Sequence, residues 1–483
     1  MALALTQSTQ FKIKELSLVT KLGVVNLANI YQEINIFDSM FMPCMKGDIF
    51  INDSIGLADK LVLDGSEYII ITISKDEENN QTHFDRTFRV VSISSRQNTK
   101  QNSESYILHF VSEEMVFSLQ QKINQSYNSA YSNMVEKILV NQMGVSKDKI
   151  AYIEKTKGIH SLVLPNISPL DAMNWVTKKA VNDEGLPNLL FFENNYGYNF
   201  VSLSTLIGRG PIITLNAEVK NVEGSEDTEF YGARDIKVVN QFNHIENVRN
   251  GVYAGKFIGI DPMTRKVNVQ KIDFTQTYNK TKKHLNKYPN FAGSKNRAGK
   301  DSSEMHDSKV SLYVFSTPRI TAEYIKRNDS KTATIIDDTH AYVFQRAPIL
   351  ANLLQTTIHM NIPGNFGITS GYVVELKLPS RSLKTNKDDV IDDSMSGNYL
   401  ITATHQMITN DKHVTIIEVA ADSTNRIFST EQSPEMTEAV TEWWLILILL
   451  VKMDSYGGSV LLKTELTLCV LAVVKLEYLV GTN

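Results

Sequence analysis

A three-segment β pattern that occurs twice, about 300 residues apart, constrains this fold more than any other feature. The first occurrence reads Tyr68–Ser74, Thr87–Ser94 and Tyr106–Ser112; the second reads Tyr372–Pro379, Tyr399–Thr404 and Val414–Ala420. In each, short β-branched or alternating runs are separated by a long polar loop and then by a shorter one, as expected of half-buried strands. Each closes on a polar stretch, Glu113-Glu114 or Asp422-Ser423. A duplicated β-module that shares no catalytic residue points to a part used in assembly. Two modules per chain would double the symmetry of any ring the chain forms.

At 483 residues the chain exceeds what one core can organise, so two to four domains are expected. Ile30–Phe37 and Asp48–Ile51 alternate with period two and add strands to the first module, giving a sandwich or barrel. Leu119, Ile123, Tyr127, Tyr131, Met134 and Ile138 recur every three or four residues, so 113–144 reads as helical, with a break near Asn124–Ser126. A second helix starts at Ser168, with Pro169 in its first position and Asp171 three residues after the cap. Leu189–Glu193 and Tyr198–Leu203 flank Asn194-Asn195-Tyr196-Gly197 as a hairpin. The expected division is a first β-domain from 1–112 with about 207–250, and an inserted α+β domain over 113–206. A second β-domain takes 251–274 with 350–425, around a peripheral insertion at 275–349, and 426–483 forms a tail.

Composition excludes some functions. A formal net charge of −4 gives no field for binding nucleic acid in bulk, although Thr275–Lys309 is locally basic, with eight Lys/Arg against three Asp/Glu. Cys44 and Cys469 are the only cysteines, which excludes a disulfide framework and fits a reducing compartment. The first residues lack the basic and apolar regions of a signal peptide, so synthesis and folding in a cytoplasm are expected. From Trp443 to Asn483, 26 of 41 residues are apolar, but Trp443–Val451 is too short to span a bilayer. Lys463, Glu465, Lys475 and Glu477 interrupt the longer run after it, so no stable membrane insertion is expected. Docking strands, a membrane-surface segment and translation in a shifted frame remain as readings of this tail.

The usual catalytic patterns are missing. The ten histidines are dispersed, and no C-x-x-C or H-E-x-x-H occurs. Gly251–Lys256 imitates a phosphate loop but is one residue short, with Phe257 where Ser or Thr would hold magnesium. In Gly367–Gly371 the serine is displaced from the nucleophile position of an elbow. Asp388, Asp389, Asp392 and Asp393 do not follow the spacing of a calcium loop. His405 and His413 could meet across a hairpin, although Met407–Lys412 reads as a plain turn. No enzymatic activity, cofactor or metal is expected.

The segment Pro363-Gly364-Asn365-Phe366-Gly367-Ile368-Thr369-Ser370-Gly371-Tyr372, continued by Val373–Leu376, is more specific than composition. So is Ser396–Thr402 followed by Thr404-His405 and Val414–Ala420. Together they resemble the closing β-domain of baseplate hub proteins of contractile-tailed phages, including the T-even type. Related forms are late control protein D and the hub part of type VI secretion spikes. The likeness spans roughly Phe11–Asp422, about 85% of the chain.

The resemblance implies a mainly β fold, α+β overall, with two tail-tube-like antiparallel β-barrel or sandwich domains, an inserted α+β domain and a peripheral insertion. It further implies a homotrimer whose six modules form a pseudo-sixfold ring between a hexameric tail tube and a trimeric central spike, among other baseplate proteins. DNA would pass through the lumen without specific binding, and the particle would assemble in the host cytoplasm. The candidate inter-subunit or partner residues are Tyr68, Ile70 and Thr72 on the first module and Tyr372, Val374 and Leu376 on the second, with ordinary core packing as the other reading of the same strands. A cell-wall-degrading tail enzyme and the hub of a tailocin or secretion-type contractile system are the alternatives.

Overall fold

The computed structural model describes residues 11–61, 63–74, 83–100, 103–217, 232–262, 265–290, 301–314, 345–379, 392 and 394–426. Seven strands build the first β-domain: β1 (Lys12–Thr20), β2 (Gly23–Asn26), β3 (Tyr31–Ser39), β4 (Lys46–Asp53), β5 (Tyr68–Ser74), β6 (His83–Lys100) and β7 (Ser103–Ser112). They pair in the order β2-β1-β5-β6-β7-β4-β3, with a short helix α1 (Leu57–Leu61) after β4. Alternation places Ile69, Ile71 and Ile73 of β5 in the core, beside Phe88, Leu108 and Phe110. Their outward neighbours stay half-exposed.

The inserted α+β domain follows as α2 (Glu113–Gln120), β8 (Ile123–Ser129), α3 (Tyr131–Lys137), β9 (Ile150–Ile153), β10 (His160–Ile167), α4 (Pro169–Lys179), β11 (Leu189–Asn194), β12 (Gly197–Ser202) and α5 (Leu203–Ile207). Ser168 caps α4 as its sequence predicts, its Oγ accepting from the Asp171 N–H. The helical reading of 113–144 is corrected where it placed only a break near Asn124–Ser126. Ile123–Ser129 forms a strand against β10, because Ile123 and Tyr127, four apart, also share one face of an alternating strand. In the two strands of the β11–β12 hairpin every residue is buried. Leu189, Phe191 and Phe200 enter this domain's own core, whereas Leu190, Phe192 and Val201 enter the next one.

The remaining elements are β13 (Pro211–Ala217), β14 (Gly232–Asn240), α6 (His244–Asn250), β15 (Ala254–Asp261), β16 (Lys266–Asp273), α7 (Phe274–Lys280), β17 (Tyr288–Pro289), β18 (Val310–Val314), α8 (Arg346–Leu353), β19 (Thr356–Pro363), β20 (Val373–Lys377), β21 (Gly397–Thr409), β22 (His413–Ala421) and β23 (Ser423–Thr424). Six of these strands close a barrel in the order β21-β20-β13-β14-β19-β22 and back to β21. Two parts of the expected division are therefore corrected. The 207–250 segment supplies β13 and β14 to this barrel rather than to the first β-domain, since their backbone groups pair with β20 and β19. The 251–274 segment leaves the barrel: β15 and β16 pair with β18 as a separate three-stranded sheet.

The two repeats have the same local topology. Each is an antiparallel meander, β5-β6-β7 in the first and β20-β21-β22 in the second. Antiparallel pairing of β3 with β21 joins the first β-domain and the barrel in one thirteen-stranded sheet. Among the described residues no helix is long and apolar enough to cross a membrane.

Candidate functional site

The partner residues expected on the first module lie where a contact could reach them. Tyr68, Ile70 and Thr72 occupy the outward face of β5. The Tyr68 hydroxyl donates to Glu113 at 2.7 Å and the Arg89 guanidinium sits 4.7 Å from its ring centre, while Thr72 donates to Asp85 at 3.1 Å. The bond to Glu113 holds the Tyr68 phenol above its ordinary range.

The second triplet is different, and here the expectation is corrected. Val374 and Leu376 point into the barrel and are fully buried. Closure of the barrel turns that side of β20 inward, and β13 and β21 occupy both of its edges. Tyr372, just before the strand, stays half-exposed with its ring 5.7 Å from that of Tyr196. Both edges of β5 are likewise taken, by β1 and β6, so neither strand can accept a partner strand by backbone pairing.

The segment that resembles the hub family is a buried junction. From the loop 364–371, Phe366 enters the core of the first β-domain, its ring 5.1 Å from Phe84, while Ile368 enters the barrel core. Asp38 of β3 accepts the Thr369 hydroxyl at 2.7 Å, the Ser370 N–H at 3.0 Å and the Thr404 hydroxyl at 2.8 Å. Burial raises the Asp38 carboxyl above its usual range, and these donors oppose the rise. Gln406 donates to the Asn365 and Ile368 carbonyls and accepts from His413 at 2.8 Å and from Thr415 at 2.6 Å. The His413 ring packs on the α-carbon of Gly364, where any side chain would collide with it.

The β11–β12 turn reaches the same loop. Asn195 donates to the Phe366 carbonyl at 2.9 Å, and Asn194 to that of Ser370 at 3.0 Å. Arg86 of β6 grips the turn from the other side, donating to the Asn195 carbonyl at 2.8 Å. A second buried carboxyl, Glu193, accepts from the Met45 N–H at 2.9 Å and from the Ser112 hydroxyl. Burial raises it, and neighbouring Glu114 adds to the rise. Three domains are thus riveted at one place by neutral donors around two buried acids.

Among the described residues, the histidines singled out in the sequence are not brought together. His405 stacks on Phe37 and bonds Asn35 at 2.6 Å, away from His413, so the two histidines do not pair. Burial lowers the His405 imidazole. A small cleft of about 40 Å³ is lined in part by Asn188, Tyr278, His284, Asn352 and Asp422. Its His284 and Asp422 lie 2.8 Å apart, and the Ser423 hydroxyl is 2.7 Å from Asp422. This differs from a nucleophilic triad, because the serine bonds the aspartate and the other imidazole nitrogen faces the Tyr278 carbonyl. Among the described residues no group of three His, Cys, Asp or Glu could hold a metal ion. Of the clustered aspartates, Asp392 caps a turn through Ser394, and Asp388, Asp389 and Asp393 lie outside the described residues.

No family model and no curated protein match the chain. Its structural neighbours are phage tail and type VI secretion proteins. It is similar to a tail protein from Neisseria meningitidis MC58, at 10% identity over 84% of this chain and 96% of that one, with a TM-score of 0.46. It is also similar to the 43 kDa tail protein of prophage MuSo2 from Shewanella oneidensis, at 10% identity over 85% and 99%, with a TM-score of 0.48. An E. coli component of the type VI secretion system is similar at 10% identity over 88% and 80%, with a TM-score of 0.39.

Proposed function

We propose that this chain is a structural baseplate hub of a phage-type contractile tail, without enzymatic activity of its own. Three copies would form a ring with two similar β-modules each, the first β-domain and the barrel. One face of that ring stacks on a hexameric tail tube and the other on a trimeric central spike, with further baseplate proteins around it. The ring assembles in the host cytoplasm and is retained in the virion baseplate. DNA passes through its lumen, which a wall without a basic lining would leave free of trapped phosphate.

The observation that carries this reading is the pair of equivalent meanders held in one continuous sheet by the β3–β21 ladder. A shared sheet fixes the angle between modules, which threefold copying needs if six walls are to meet a six-fold partner. The loop 364–371, with Phe366 in one core and Ile368 in the other, makes that angle rigid. Outward-facing Tyr68, Ile70 and Thr72 supply partner contact on the first module, with Tyr372 as their counterpart on the second.

The test is native mass determination followed by electron microscopy. The expected result is a particle of three times the 54.4 kDa chain mass whose end view shows six similar lobes. A chain that stays monomeric at every concentration, with its spike partner added, overturns the reading.

A further inference from the structure

Arg346 is a cation with no acid beside it. It opens α8 and crosses to the chain that enters β11, where Nη1 donates to the Pro187 carbonyl at 3.0 Å and to the Leu189 carbonyl at 2.7 Å. Those two bonds use both hydrogens of Nη1. A guanidinium carries five, so Nε keeps one and Nη2 keeps two. Among the described residues nothing accepts these three, and neither nitrogen is sealed from solvent. No ion pair among the described residues includes Arg346. Asp183 and Glu184 precede Pro187 on the same loop, yet neither acts on it: burial alone draws the guanidinium down to about 10, still protonated at neutral pH. Lys280 brings a second positive charge to this loop, its Nζ donating to the Gly185 carbonyl at 3.0 Å.

A clamp on two carbonyls accounts for Nη1 but leaves the rest of the side chain unused. Drawing a charge out of water is costly unless an opposite charge offsets it, and buried charges in folded chains are accordingly paired. The unused edge has a definite shape. Nε–H and Nη2–H lie parallel on one side of the planar group, at the spacing of the two oxygens of a carboxylate or a phosphate. We infer that this edge of Arg346 binds an oxyanion, held side-on by Nε and Nη2. The chemistry is the same whether the oxyanion is a phosphate or a carboxylate on another chain. Chloride, a single centre, meets two parallel donors less well. A lysine here would supply the charge and could reach both carbonyls, but it has no second parallel donor. The inference does not depend on the hub reading.

Thermal unfolding of the full chain in phosphate, acetate and chloride at equal ionic strength tests it. Phosphate or acetate is expected to raise the melting temperature by about 2 °C over chloride at ten times its dissociation constant. Arg346→Lys, which keeps the charge and the carbonyl clamp, should abolish that rise. Lys14→Ala, at an exposed lysine on β1, should retain it. A larger rise with phosphate assigns the site to a phosphate, and a larger rise with acetate assigns it to a carboxylate of another chain. No rise with either anion, or a rise that Arg346→Lys keeps, overturns the inference. Wild-type crystals soaked in selenate give a readout that needs no variant. Selenium beside the Nε–Nη2 edge supports the site; a peak only at other residues is an adventitious ion only and overturns it.

Discussion

Asp38 shows how a single carboxyl can be tied to residues far from it in the chain. It lies 331 positions from Thr369 and 366 from Thr404, yet all three share one buried cluster. Asp38→Ala would strand three donors, and a loss of about 3 kcal/mol is expected in denaturant unfolding. Phe366→Ala empties a ring-sized space between the domains and should cost about 4 kcal/mol. Gly364→Ala drives a methyl group into the His413 ring; about 2 kcal/mol is expected, and less in a His413→Ala background. Burial raises both Asp38 and Glu193, so the folded chain holds these protons more tightly than the unfolded chain does. The stability they contribute is full below the ordinary carboxyl value near 4 and is lost as pH rises through the raised folded values. Melting temperature should therefore climb as pH falls from neutrality toward the ordinary carboxyl range, and Asp38→Asn with Glu193→Gln should flatten that climb. The Gly364–Tyr372 motif could be read from residue identity, but not its role, because every partner that defines the junction is distant in sequence.

Among the elements, the strands that could be read from the chain are those whose pairing is local. Both meanders follow from period-two alternation and short connections, because each strand pairs with its neighbour in sequence. β13 and β14 could not be assigned this way, since β20 and β19 lie well over one hundred residues further on. For Val374 and Leu376 partner contact and core packing could not be separated for a related reason: alternation says that two faces differ, and only barrel closure says which is inside. The Ile123–Ser129 strand escaped because residues four apart satisfy both periods. The contrast between β5 and β20 can be measured. Val374→Asp places a charge in the barrel core and should cost about 4 kcal/mol or more, or prevent folding. Ile70→Asp, on the outward face, should change unfolding by about 1 kcal/mol or less while weakening ring or partner assembly.

For the molecule as a whole, the barrel is not equally strong around its circumference. The β19–β22 and β21–β22 ladders each run over eight residue pairs, whereas among the described residues β13 meets β14 through two, Asn216–Gly232 and Ala217–Ala233. Native-state hydrogen exchange should therefore be fastest in β13 and β14 and slowest in β21 and β22; uniform protection around the barrel would contradict this. A wall laced this unevenly is a belt with one short stitch: among the described residues the β13–β14 joint has the fewest residue pairs of the six, so the packed core, with Leu215 and Ala233 beside that joint, carries more of the work of holding it closed than the ladder does.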